Sequence, residues 1–140
     1  MSRSKAQRPL GTSIQVTSTP EEQRAFVEAA RALEISISDL LRLACLETCH
    51  RMGLSHPNHV PNYLEPFTLQ PERSERVSAA NNIRLNPLFG RLFTKAAELS
   101  GPVPLSRFIV GATLAFVARH QRNDPQLKHV VLPEQYRSIA

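Results

Sequence analysis

No stretch of the chain approaches the roughly 18 consecutive apolar residues that a membrane span needs. Its opening, MSRSKAQRPLGTS, lacks the apolar core of a secretory signal. Those absences predict a cytoplasmic protein without a membrane partner. Cysteine is scarce as well: Cys45 and Cys49 are the only two. Four residues apart in a helical stretch without secretory context, they predict buried thiols rather than a disulfide. A zinc site drawn from these thiols with His50, His56 and His59 would lack the second, equally well-spaced ligand pair of structural zinc, so no metal is expected. P-loop, nucleophile elbow, HExxH motif and paired carboxylates are all missing too. The sequence therefore predicts neither an enzyme nor a bound cofactor.

What is present reads as globular. The 140 residues are 41% apolar and 21% charged, enough to bury a core, and eleven prolines imply extended connections. A net charge of +5 and a pI near 9.9 favour an anionic partner. The excess is confined to one half: residues 1 to 70 carry seven Lys/Arg against seven Asp/Glu, and residues 71 to 140 carry ten against five.

The chain also repeats itself. RAFVEAA at 24–30 returns as RLFTKAA at 91–97, an offset of sixty-seven that sets Pro20 on Pro87, Arg24 on Arg91 and Phe26 on Phe93. One extra residue near Pro102 moves the offset to sixty-eight, and Ser38 then falls on Ser106, Ala44 on Ala112, Leu46 on Leu114 and Arg51 on Arg119. Two copies make a duplicated unit rather than a solenoid.

Within each copy the periodicity changes in the same order. TSIQVTS (12–18) alternates, with Ile14 and Val16 on one face and Ser13, Gln15 and Thr17 on the other; NNIRL (81–85) sets Ile83 and Leu85 against Asn82 and Arg84. Each predicts a short, half-buried strand. Thr19-Pro20 and Asn86-Pro87 then place a capping side chain before a proline at the first helical position. The first helices present Phe26, Ala29, Ala30 and Leu33 in copy one, and Leu92, Phe93, Ala96, Ala97 and Leu99 in copy two. They stop near Glu34 to Ser36 and at Ser100-Gly101-Pro102. Second helices follow, from about Ser36 to Met52 and from about Pro104 to Gln121, with Ser36 or Ser38 and Ser106 as the expected caps.

The resulting division is a basic N-terminal arm (1–11), a first strand-helix-helix unit (12–53), a Pro-rich linker (54–79), a second unit (80–122) and a tail (123–140). The linker, with prolines at 57, 61, 66 and 71, excludes regular helix or central strand, apart from one turn expected around Glu72 to Val77. The tail is irregular, and its Val130-Val131-Leu132 triplet is expected to pack on the core.

One strand and two helices cannot satisfy strand edges or cover their apolar faces alone. In this order of parts the chain resembles the ribbon-helix-helix family, to which the MetJ and Arc repressors belong. The resemblance rests on IQVTSTPEEQRAFVEAARAL with ISISDLLRLA, and on IRLNPLFGRLFTKAAELSG with PLSRFIVGATL. It implies a mainly α tandem ribbon-helix-helix fold: two short strands pair as an antiparallel ribbon over four helices, as an intramolecular pseudo-dimer. A dimer swapped between two chains is the alternative pairing. It further implies that the ribbon enters the major groove of double-stranded DNA.

By position, Gln15, Thr17, Asn82 and Arg84 would read bases, with Ser13 and Ala80 at the margins. Arginine suits guanine O6/N7, Gln or Asn suits adenine N6/N7, and the threonine methyl suits thymine. The starts of the second helices would hold phosphates through Ser36 and Ser38, and through Ser106 and Arg107. Copy one departs from the family by carrying Glu34 and Ile37 where a glycine and a basic residue are usual. Arg3, Lys5 and Arg8 would add phosphate contacts.

Because the two outward faces differ, the expected site is non-palindromic. The tandem layout resembles the TraY conjugation proteins, which bind near plasmid transfer origins and bend DNA. The expected role is a prokaryotic, plasmid or phage transcriptional repressor or relaxosome accessory protein, nucleoid- or plasmid-associated and cooperative on DNA, with a relaxase as a possible partner. The alternative is an antitoxin-type protein-interaction module, whose linker or tail wraps a toxin.

Overall fold

The computed structural model describes residues 12–55, 79–101 and 103–137. Local chemistry at the helix starts sets the layout. Thr19 caps α1 (Pro20–Leu33): its hydroxyl accepts from the Glu22 N–H at 3.2 Å, and the Glu22 carboxylate accepts from the Thr19 N–H at 2.9 Å. That reciprocal pair satisfies two of the donors a helix start leaves open. Asn86 caps α3 (Pro87–Leu99), its side-chain oxygen accepting from the Phe89 N–H at 2.8 Å. Ser36, rather than Ser38, caps α2 (Ile37–Arg51) by accepting from the Asp39 N–H at 3.0 Å. The fourth helix, α4 (Leu105–Gln121), begins differently: Pro104 holds the cap position and no side chain caps it. The expectation that Ser106 is the cap is therefore corrected. Helix geometry begins one residue ahead of this serine, and its hydroxyl instead accepts from the Thr17 N–H at 3.3 Å.

Strands β1 (Thr12–Ser18) and β2 (Ala79–Leu85) pair antiparallel as a two-stranded sheet. The chain is mainly helical, with five helices and this one sheet among the described residues. Strand-helix-helix occurs twice in the element order, and β2 starts at Ala79, one residue before the expected boundary of the second unit.

Alternation along each strand decides which face is buried. Val16, Ile83 and Leu85 are buried, and Ile14 packs against the same core. Phe26 and Phe93, at equivalent positions of α1 and α3, are both fully buried. α4 is enclosed along most of its length, Phe108 through Ala118, which explains why FIVGATLAFVA carries no charge. Its principal helical neighbour is α2. Each strand packs more on the second helix of the other repeat than on its own first helix, β1 on α4 and β2 on α2.

The tail is more ordered than its composition predicts. Pro125–Leu127 forms a 3-10 turn and Glu134–Arg137 a short fifth helix, α5, beyond the four expected. Leu127, Val130, Leu132 and Tyr136 are buried, while Val131, the middle of the triplet, is exposed. The Gln121 amide binds the strap in place by donating to the carbonyls of Leu127 at 2.9 Å and Val130 at 2.8 Å. Leu54, assigned to the linker from sequence, belongs to the core. Residues 56–78 of the linker, with the turn expected at 72–77, and the N-terminal arm lie outside the described residues.

Candidate nucleic-acid interface

The strand register assembles the exposed face of the ribbon. Gln15 lies opposite Asn82, Ser13 opposite Arg84 and Thr17 opposite Ala80. Directly opposed residues share a face, so the four expected base readers and their two marginal neighbours form one surface. Ser13, Gln15, Ala80, Asn82 and Arg84 are exposed and Thr17 is half-buried. At the sixty-seven offset Gln15 is equivalent to Asn82, so the pairing is centred on an equivalent pair. The two ends differ: Ser13 and Arg84 stand at one, Thr17 and Ala80 at the other.

Both ends are held by guanidinium groups from the second helices. Arg42 of α2 donates to the Arg84 carbonyl at 3.0 Å, and Arg107 of α4 donates to the Thr17 carbonyl at 2.8 Å. Thr17 and Arg84 are equivalent strand positions, so each strand is fastened at the same point by the other repeat. The arginines are not equivalent: the position matching Arg107 is Asp39, whose carboxylate pairs with Arg42 at 2.8 Å. The hydrogen bond from Arg42 holds the exposed Asp39 carboxyl below its ordinary pKa. Arg107 also reaches buried Glu22 at 3.3 Å. One network thus links the end of β1, the cap of α1 and the first turn of α4.

These contacts give the expected phosphate-binding residues different local roles. Arg107 spends donors inside the protein, on Thr17 and Glu22. Ser36 is occupied as a cap, Ser38 is half-buried in the first turn of α2, and Asp39 adds a negative charge there. The start of α4 is the more favourable end for an anion, because its first N–H groups meet no side-chain cap. Arg3, Lys5 and Arg8 lie outside the described residues.

Sequence reasoning missed the polar clasp beneath the ribbon. Asn81, opposite Val16 on the inner face, donates to Gln23 Oε1 at 2.7 Å, and Ser18 donates to the same oxygen at 3.1 Å. A signal was available: alternation places Asn81 inward with Ile83 and Leu85, where a lone amide needs a partner.

Cys45 and Cys49 are buried free thiols of α2. Burial, with Cys49 nearby, pushes Cys45 well above the ordinary thiol pKa, and burial pushes Cys49 up to about 12. Among the described residues no three His, Cys, Asp or Glu side chains come together to hold a metal ion. No helix among them is long and apolar enough to cross a membrane. The chain matches no protein-family model, no curated protein and no solved structure in these comparisons.

Proposed function

We propose that the protein binds double-stranded DNA sequence-specifically, with the β1–β2 ribbon in the major groove, and that it acts by binding alone, without catalysis. The observation that carries this reading is the ribbon's exposed face, where Gln15, Asn82 and Arg84 stand on paired strands with Ser13 and Thr17 beside them. A two-stranded ribbon matches the major groove in width, and these residue types match its donor and acceptor pattern. The opposite face is committed to the core, which leaves this surface free to meet a ligand.

The chain is read as a tandem ribbon-helix-helix pseudo-dimer. Support comes from the register centred on Gln15 and Asn82, and from the crossed packing of each strand on the other repeat's second helix. One half offers Ser13, Gln15 and Thr17; the other offers Ala80, Asn82 and Arg84. The DNA site is accordingly asymmetric. Repression or service as a relaxosome accessory protein, in the cytoplasm on a nucleoid or plasmid, fits such binding. The antitoxin-type alternative needs a free linker or tail, and the tail's Leu127, Val130, Leu132 and Tyr136 are already buried in the protein's own core.

Sequencing of genomic fragments retained at moderate salt is expected to return one non-palindromic motif. Arg84→Ala is expected to weaken binding by about 1 to 3 kcal/mol and to relax preference at one base pair. No enrichment would overturn DNA reading, and an unchanged motif and affinity would remove Arg84 from it.

A further inference from the structure

Five identities join the strand and first helix of the two repeats: Pro20 with Pro87, Arg24 with Arg91, Phe26 with Phe93, Ala29 with Ala96 and Ala30 with Ala97. The prolines open α1 and α3, and the phenylalanines and alanines are buried in the core. Neither reason applies to the arginines. Both are exposed, and among the described residues neither guanidinium makes a hydrogen bond or an ion pair. Further along the same helix face the charges change over, Glu28 and Arg31 in α1 against Lys95 and Glu98 in α3. Only the position nearest the helix start keeps its charge.

Both arginines stand beside the ribbon. Arg91 lines a cleft with Ile14 of β1, whose other walls include Pro87, Lys95 and Glu98. Arg24 adjoins Gln23, whose side-chain amide pairs with that of Asn81 in β2, donating at 3.4 Å and accepting at 2.7 Å. Ile14 and Asn81 are equivalent strand positions at the sixty-seven offset. Each arginine therefore flanks the strand of the other repeat, at the same point along it.

We propose that Arg24 and Arg91 each hold a backbone phosphate of double-stranded DNA, one on either side of the major groove that the ribbon enters. A ribbon in that groove has a phosphate backbone along each free edge, and a phosphate contact positions the protein without carrying sequence information. The pattern of the repeats follows: outward strand residues that read bases diverge, and flanking residues that hold phosphates stay the same. A guanidinium fork matches two phosphate oxygens. The second-helix arginines are engaged elsewhere, Arg42 on the Arg84 carbonyl and Asp39, and Arg107 on the Thr17 carbonyl and Glu22. The proposal rests on the DNA reading and supplies its sequence-independent part.

Fluorescence anisotropy of the full chain tests it on two duplexes, the motif recovered from genomic fragments and a scrambled duplex of equal length, over a range of salt. Arg24→Ala and Arg91→Ala are each expected to weaken binding to both duplexes by the same factor, about five- to tenfold near 0.1 M salt, and to lower the salt slope by about 0.9. Base preference and melting temperature should not change. Arg31→Ala removes the same charge two turns further along α1, about a Debye length away, and should alter affinity by less than about twofold. If the parent binds and both alanine variants keep its affinity and slope, the proposal is overturned. An equal loss in Arg31→Ala would also overturn it, by reducing the effect to net charge, and a shifted base preference would do so by making the arginines readers. A parent that binds neither duplex would instead remove the DNA reading itself, and this proposal with it.

Discussion

Glu34 follows α1 in the left-handed region, with φ 60° and ψ 42°, and is the one non-glycine with positive φ among the described residues. Gly101, sixty-seven positions on, follows α3 with φ 86°. The two repeats thus carry different residues, Glu34 and Gly101, on the same left-handed backbone. A left-handed non-glycine residue is strained by about 1 to 2 kcal/mol, partly offset by the greater unfolded-state freedom of glycine. Glu34→Gly is accordingly expected to raise stability by about 0.5 to 1 kcal/mol in urea titration. Gly101→Ala should lower it by a similar amount, since a Cβ there meets nothing within 4 Å and only the backbone objects. No change in either variant would refute the assignment of strain. The two thiols make a second residue-level case. With Cys49 pushed up to about 12, its thiolate fraction at pH 8 is roughly 10⁻⁴. Native protein is expected to resist thiol reagents at that pH, with labelling limited by unfolding. Rapid labelling of both cysteines in folded protein would contradict the burial.

Among the elements, α4 separates two readings of Arg107. A phosphate contact predicts that Arg107→Ala leaves stability intact and lowers the salt slope of DNA binding by about 1. The observed bonds, to the Thr17 carbonyl and to the buried Glu22 carboxylate, predict instead a stability loss of about 1.5 to 3 kcal/mol. That loss should be reduced when Glu22→Gln removes the stranded charge. Thermal melts of the single and double variants decide between them, and an unchanged melt for Arg107→Ala would restore the phosphate role. This case also marks where sequence reading runs out. The strands and the caps of α1 and α3 were legible because they are local: alternation gave the outward set Gln15, Thr17, Asn82 and Arg84, and Thr19-Pro20 and Asn86-Pro87 announced their helices, whereas Ser106 was misread as a cap because its partner, the Thr17 N–H, lies 89 positions away. The bonds of Arg107 and Arg42 to strands of the other repeat span 90 and 42 positions, and no periodicity encodes them. The tail stayed illegible for another reason. Its apolar residues fit neither a helical nor a strand period, because they bind a groove whose shape the other helices set.

For the whole molecule, the seam between α2 and α4 joins the two repeats, and one charged cluster closes its far end. Glu47 of α2 accepts from Arg119 at 2.6 Å, and His120 Nε2 lies 2.6 Å from its other oxygen, all partly buried. Burial acts to raise the Glu47 pKa, but the bonds from Arg119 and His120 outweigh it and hold the carboxyl below its ordinary value. A carboxyl with a lower pKa folded than unfolded contributes stability that is complete above the unfolded value, near 4.5. That contribution fades as pH falls through the folded value. Acidification from about pH 4.5 downward should therefore loosen the seam. Glu47→Gln should cost about 1 kcal/mol at pH 7, the size expected for a partly exposed ion pair, and its stability should converge with that of the parent at low pH. Since the strands and second helices cross between repeats, neither half has a core of its own. Circular dichroism should then give one acid transition, coincident with near-ultraviolet absorbance from buried Tyr136. Two separated transitions, or parallel stability curves for parent and variant below pH 4.5, would show that the repeats stand without this seam.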